Sequence, residues 1–301
     1  MVTATEPCAT GQLERVRRTV ALLERRGYAL PPERLAEVCL GGEISALEVR
    51  LAVAASGGEL CETEGLVASR ALLTRVPAIR RRTDDHAAAA AGYLAETVRF
   101  VRRVIELCPY VISVSIAGSL ASGGFTETDD VDLNLVVEDG RRHLAYVAVN
   151  LLGYLHALAF RGKPVDASTR RPLAPRLMTL NLVLERSQCF PLRRQDEDMA
   201  FELLQSEPVF GAPFLRRVAE ANRGLTEAFP QLARKTAVVE LLPRRRLPRG
   251  LFPRWLDAPS HTVGKAAWRY MQWTRRGSPE ARARVAFVRQ TMRPYTLFQD
   301  S

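Results

Sequence analysis

The sequence predicts a mixed chain of the α/β (α+β) class, with a small mixed sheet set between two helical regions. Three observations carry this. Apolar runs of strand length, "YVISVSIAG" (110–118), "VDLNLVV" (131–137) and "LMTLNLVLE" (177–185), are confined to the middle of the chain. Ahead of them, residues 11–55 hold short stretches with helical spacing of apolar residues. Beyond residue 190 the pattern is helical almost to the end. A chain of 301 residues has material for two or three modest domains, expected at 1–85, 86–190 and 191–301.

In order along the chain, residues 11–27 place Leu13, Val16, Val20 and Leu23 on one helical face with arginines opposite. "PPERLAEVCLGG" has prolines suited to a helix start and glycines suited to a stop. "SALEVRLAVAAS" makes a third helix, with Ser45 as N-cap and Glu48 three residues on, the pattern of a capping box. "GGELCETEGLVASR" reads as two short strands around Glu64-Gly65. Three helices and then a hairpin is the element order of a winged-helix-like unit. A long helix is expected near 87–108, a strand over 110–118, a turn or short helix at 119–124 and a looser segment at 125–130. A strand at 131–137, a buried helix over about 143–160, a polar connection at 161–176 and a strand at 177–185 follow. Helices are then expected at 195–206, 212–227, 231–241, 261–275 and 278–292, with the arginine- and proline-rich segment 241–255 as a linker. Trp255, Trp268 and Trp273 read as packing residues.

The formal net charge of +10 suits phosphate-bearing ligands. Nearly all of it is arginine, since lysine occurs only at 163, 235 and 265, which together with abundant Ala reads as compositional bias rather than a nucleic-acid footprint. The five cysteines form no CxxC pair, which argues against a disulfide framework or a zinc site and fits a reducing, cytoplasmic setting. The first residues lack a basic start with an apolar core, and no run approaches eighteen uninterrupted apolar residues, so no membrane partner is expected.

The chemistry concentrates in "IAGSLASGGFTETDDVDLNLVV" (116–137). Residues two apart on a strand point the same way, so Asp130 and Asp132 converge on one point. Paired carboxylates of this kind suit a hard divalent cation, Mg²⁺ or Mn²⁺, whose charge offsets their repulsion. Gly118 and Ser119 follow a buried strand and precede a short helix, where backbone N–H groups can receive phosphate oxygens. Gly-Ser, ten residues, and then Asp-Val-Asp-Leu (118–133) resembles the signature of the DNA polymerase beta-like nucleotidyltransferase superfamily. The resemblance implies a nucleotidyltransferase core in which Gly118 and Ser119 hold nucleotide phosphates while Asp130 and Asp132 bind the metal. The implied reaction moves a nucleoside monophosphate from an NTP to a hydroxyl-bearing acceptor, a small molecule ahead of a nucleic acid or protein, with release of pyrophosphate.

The superfamily usually has a third carboxylate on a later strand, and "LMTLNLVLE" offers Asn181 there. An amide can ligate a metal but is a poor proton acceptor. Either Asp166, just before the strand, supplies the acid, or Asn181 is a weaker ligand, or catalysis has been lost; Glu185 lies at the strand's far end. Arg141, Arg142, Arg161, Lys163, Arg170, Arg171 and Arg176 flank the unit as candidate phosphate partners or plain surface. The competing reading is a catalytically weakened nucleotide sensor that contacts DNA or a protein through the winged-helix-like unit.

Overall fold

The computed structural model describes residues 6–165, 173–237, 239–291 and 294–298. It is a mixed α+β structure whose first helices form much as their sequences dictate. Helix α1 (Glu6–Arg25) buries Val16, Val20 and Leu23. Helix α2 (Pro32–Glu37) opens on Pro32, whose preset φ suits a first turn and whose missing N–H would have had no helical partner. Helix α3 (Ala46–Ala55) is started by a full capping box: the Glu48 N–H donates to Ser45 Oγ at 3.2 Å, and the Ser45 N–H donates to Glu48 Oε2 at 2.7 Å. Strands β1 (Leu60–Thr63) and β2 (Leu66–Ser69) pair antiparallel about Glu64 and Gly65, with φ of 53° and 74°. Two successive positive φ values match the twist of a tight hairpin.

Helix α4 runs over Val76–Leu107, starting well before the expected residue 87. The alanine run has high helix propensity and nothing ahead of it breaks the helix. Pro77 sits in the first turn, the Thr83 hydroxyl donates back to the Ile79 carbonyl, and Asp84 pairs with Arg80 one turn away. One continuous rod therefore links the hairpin to the central sheet.

That sheet contains β3 (Val111–Ala117), β4 (Val131–Val137), β5 (Met178–Glu185) and β6 (Glu207–Phe210) in the order β5-β4-β3-β6. The β4/β5 pair is parallel, and β3 is antiparallel to both of its neighbours. Helix α5 (Gly118–Ser122) follows β3, α6 (Arg142–Ala157) follows β4, and α7 (Glu197–Gln205) precedes β6. The β6 strand was not anticipated, because four residues including Pro208 give no alternating pattern; a short edge strand tolerates that proline.

The sheet has two apolar faces. Val114, Ile116, Leu133, Leu135 and Val183 pack with Phe100 and Val104 of α4 and Val149 of α6. Val136, Leu182 and Leu184 on the other face join a core with Leu23 and Leu35 of the first region, Phe201 of α7, and Phe214 of α8 (Ala212–Ala221). Helix α9 (Arg223–Ala228) adds Leu225 to this core, with Phe229 just past its end. The helix expected at 231–241 is only a 3₁₀ turn over Pro230–Arg234, with no helix among the described residues of 235–241. Helices α10 (Asp257–Arg275) and α11 (Pro279–Thr291) complete the chain.

Helix α6 is buried on one face through Ala145, Val149 and Ala157, while Leu151, Tyr154 and Leu155 are exposed. Among the described residues, Arg142–Phe160 is the one helical stretch long and apolar enough to cross a membrane by length and composition. Helix α10 packs against α6, where Gly264 leaves room for Tyr146 and Phe298. Trp255, just ahead of α10, and Trp273 within it are 69% and 51% exposed, contrary to the packing role expected of them.

Asp257 ties α10 to α6. Its carboxylate accepts from the His143 and Leu144 N–H groups, both at 2.8 Å, and faces His143 Nδ1 at 2.8 Å. Burial pushes its pKa up, but the hydrogen bonds from His143 and Leu144 outweigh that and leave it lowered. A lowered carboxyl pKa stabilises the fold above the unfolded value of about 3.9, and that contribution fades as pH falls through the folded value. Asp257→Ala is therefore expected to lower stability at neutral pH and to flatten the acid limb, as read from urea midpoints between pH 3 and 7.

Candidate functional site

Strand register decides what meets at the end of the sheet. Asp132 lies opposite Ala117 on β3 and opposite Thr179 on β5. Gly118, the next residue after β3, has φ of 63°, and a Cβ placed on it would fall 2.4 Å from Asp132 Oδ2. Only glycine combines that backbone with that approach. The chain folds so that a bare Cα rests against the carboxylate of Asp132, and α5 starts at the same point. Ser119 is buried, and its carbonyl accepts from the Gly124 N–H at 3.0 Å, closing the turn.

Residues 123–130 return the chain to β4 and are held from several sides. Arg82 on α4 donates to the Gly124 carbonyl through Nε at 3.1 Å and Nη2 at 2.9 Å, and pairs with Asp129 Oδ2 at 2.8 Å. Asp129 Oδ2 also accepts from the Thr126 N–H at 3.1 Å, so this carboxylate organises the loop. Lys163 Nζ donates to the Asp129 carbonyl at 2.6 Å. Burial lowers the Lys163 pKa, and the carboxylates of Asp130, Asp129 and Glu127 oppose that shift. Tyr28, from the α1–α2 connection, packs on Gly124, where a Cβ would meet its ring at 2.5 Å. Phe125 is fully buried against Tyr93 of α4.

Asp132, in the second position of β4, thus lies against Gly118, and Asp130 immediately precedes the strand. Arg176 Nη2 faces Asp130 Oδ2 at 3.3 Å, and Thr179 Oγ1 donates to Asp132 Oδ1 at 2.7 Å. Asn181 is placed further along the sheet. Its amide donates to Asn134 Oδ1 at 3.0 Å and to Glu202 Oε1 at 2.9 Å. A register shift between Leu133 and Asn134 puts Asn181 where β5 holds an extra residue. The strand position beside Asp132 is a threonine, and Asn181 meets a different carboxylate. Glu185 accepts from the Gly140 N–H at the far end of β5, and Asp166 lies outside the described residues.

Glu202 and Thr179 escaped the sequence reading. Burial raises the Glu202 pKa, while the Arg26 charge and the Asn134 and Asn181 amides draw it back. Its only sequence signal was a carboxylate between the apolar positions Phe201 and Leu204, within a helix start rich in acids. Thr179 left no such signal: the expected strands start at 131 and 177, which would set Met178 beside 132, whereas the pairing sets Thr179 there. Thr179→Val is expected to cost about 1.5–3 kcal/mol, the worth of a hydrogen bond to a charged group, measured by chemical denaturation.

The oxygen donors suit Mg²⁺ or Mn²⁺, ions that use one or two protein carboxylates plus substrate phosphates. Among the described residues no group of three His, Cys, Asp or Glu side chains could hold a metal alone. A cation held by Asp130 and Asp132 would need further oxygen ligands, of the kind a substrate phosphate supplies. No protein-family model matches the chain, and no curated protein or solved structure matches it either.

Proposed function

We propose that the chain is a divalent-metal-dependent nucleotidyltransferase that moves a nucleoside monophosphate from an NTP to a hydroxyl-bearing acceptor, releasing pyrophosphate. The contact of Gly118 with Asp132 carries this reading, because it sets the glycine turn that starts α5 directly against a candidate metal carboxylate. Asp130 and Asp132 would hold Mg²⁺, which supplies charge neutralisation at the transferring phosphoryl group. Gly118 and Ser119 would cradle phosphate oxygens through backbone N–H groups. Arg82 and Lys163 keep the approach to Asp130 in place by fixing Asp129 and Gly124.

A second reading draws on Thr179. With a hydroxyl beside Asp132, no side chain in that position can accept the proton of an attacking hydroxyl at neutral pH. A nucleotide sensor needs no such base. Its partner surface would not be a DNA-reading α3, since Arg50 is engaged by Glu33 and Glu62 and the exposed neighbours are Leu47 and Leu51.

The test is to incubate the protein with Mg²⁺, each labelled NTP and a panel of hydroxylated acceptors, and to measure pyrophosphate. Transfer that disappears in Asp130→Ala supports the enzyme. Nucleotide binding that depends on Mg²⁺, without turnover on any acceptor, supports the sensor. Transfer unchanged in Asp130→Ala would remove the site from consideration.

A further inference from the structure

We infer that Arg176 is the built-in counter-ion of the Asp130 carboxylate, competing with a bare divalent cation and passing to the phosphates when a nucleotide arrives. The inference rests on the reading of Asp130 as a metal carboxylate. It predicts that metal and nucleotide bind as a pair, and that a free ion is held weakly.

The geometry points this way at three places. Arg176 faces Asp130 at 3.3 Å, with side chains 25% and 21% exposed, so the pair is less screened than a surface ion pair. The root of Arg176 is fixed, because the carbonyl of the next residue, Leu177, accepts from the Val131 N–H at 2.9 Å. Arg176 thus lies just ahead of the β4–β5 pairing that presents Asp130, and its guanidinium reaches that carboxylate. The other described cations nearby are hydrogen-bonded to the adjoining loop: Arg82 to Asp129 and the Gly124 carbonyl, and Lys163 to the Asp129 carbonyl, from where its charge also acts on Asp130. Arg176 makes its ion pair with a candidate metal carboxylate itself.

A cation approaching Asp130 must displace this guanidinium or share the carboxylate with it. Alone, a divalent ion meets a carboxylate already neutralised. Accompanied by a triphosphate, it brings oxygens that the planar guanidinium fork binds bidentately. The exchange then conserves the number of charge-assisted contacts, and Arg176 acts as a positioning residue for the nucleotide.

Arg176→Met separates this from a structural role, because it should move two affinities in opposite directions. Mn²⁺ alone, followed by electron paramagnetic resonance, is expected to bind roughly tenfold tighter to the variant than to the wild type. Mn²⁺ with ATP, then GTP, CTP and UTP in turn, followed by calorimetry, is expected to bind roughly tenfold more weakly. Arg176→Lys should fall between, since a lysine keeps the charge and loses the fork. A gain in Mn²⁺ affinity cannot come from an unfolded variant. Wild-type Mn²⁺ binding with no gain in Arg176→Met overturns the Arg176 inference and leaves the site reading standing. Absence of Mn²⁺ binding in wild type and variant alike, with or without nucleotide, overturns both.

Discussion

Asp132→Ala is expected to lower nucleotidyl transfer on the order of a thousandfold, the rate equivalent of losing roughly 4 kcal/mol of metal-borne charge stabilisation. The fold should survive. Asp132 stands near the leading end of β4 rather than in either apolar core, and the loss includes the hydrogen bond from Thr179 Oγ1 at 2.7 Å. Asp132→Asn is the sharper variant. It keeps that hydrogen bond and the contact with Gly118, and it removes only the charge. If pyrophosphate release falls as far in Asp132→Asn as in Asp132→Ala, the charge is what matters. If Asp132→Asn retains wild-type rate, Asp132 is a structural acceptor for Thr179, and the metal assignment fails.

The sequence makes some of this site legible and hides the rest for a physical reason. Strands β3, β4 and β5 show in their apolar runs, and Gly118 shows in its place after a buried strand, because period and turn chemistry are local properties. Helix α4 starts well before residue 87 because a helix end is marked by a breaker, and Thr83, Asp84 and Asp85 are not strong ones. Strand β6 leaves almost no local trace; it forms because β3 offers an open edge, where Ser115 pairs with Pro208. The partner of Asp132 is less local still. Which β5 residue lies beside it depends on pairing between segments some 47 positions apart, and on a register shift after Leu133. Counting along "LMTLNLVLE" favours the asparagine at its centre, whereas the pairing puts Thr179 beside Asp132 and turns Asn181 toward Glu202. A one-residue change of register alters which side chain meets a site, and no composition or periodicity reports it.

Gly118→Ala is the second large expected effect, and a double-variant cycle makes it specific. The positive φ of 63° alone costs an alanine about 1–2 kcal/mol. The new methyl must also displace the Asp132 carboxylate, since 2.4 Å from Oδ2 is far inside van der Waals contact. The single variant should therefore lose both stability and metal affinity, seen as a lower urea midpoint and weaker Mn²⁺ binding. The two causes separate in Gly118→Ala combined with Asp132→Ala. Truncating Asp132 removes the clashing oxygen and leaves the backbone strain, so the double variant should recover the steric share of the loss. Contacting residues typically couple by about 0.5–3 kcal/mol, well above the error of a denaturation midpoint. Simple additivity of the two changes would mean that the Gly118 Cα and the Asp132 carboxylate do not touch in solution. The close approach of a glycine turn to a carboxylate, on which the phosphate-and-metal reading depends, would then be lost with it.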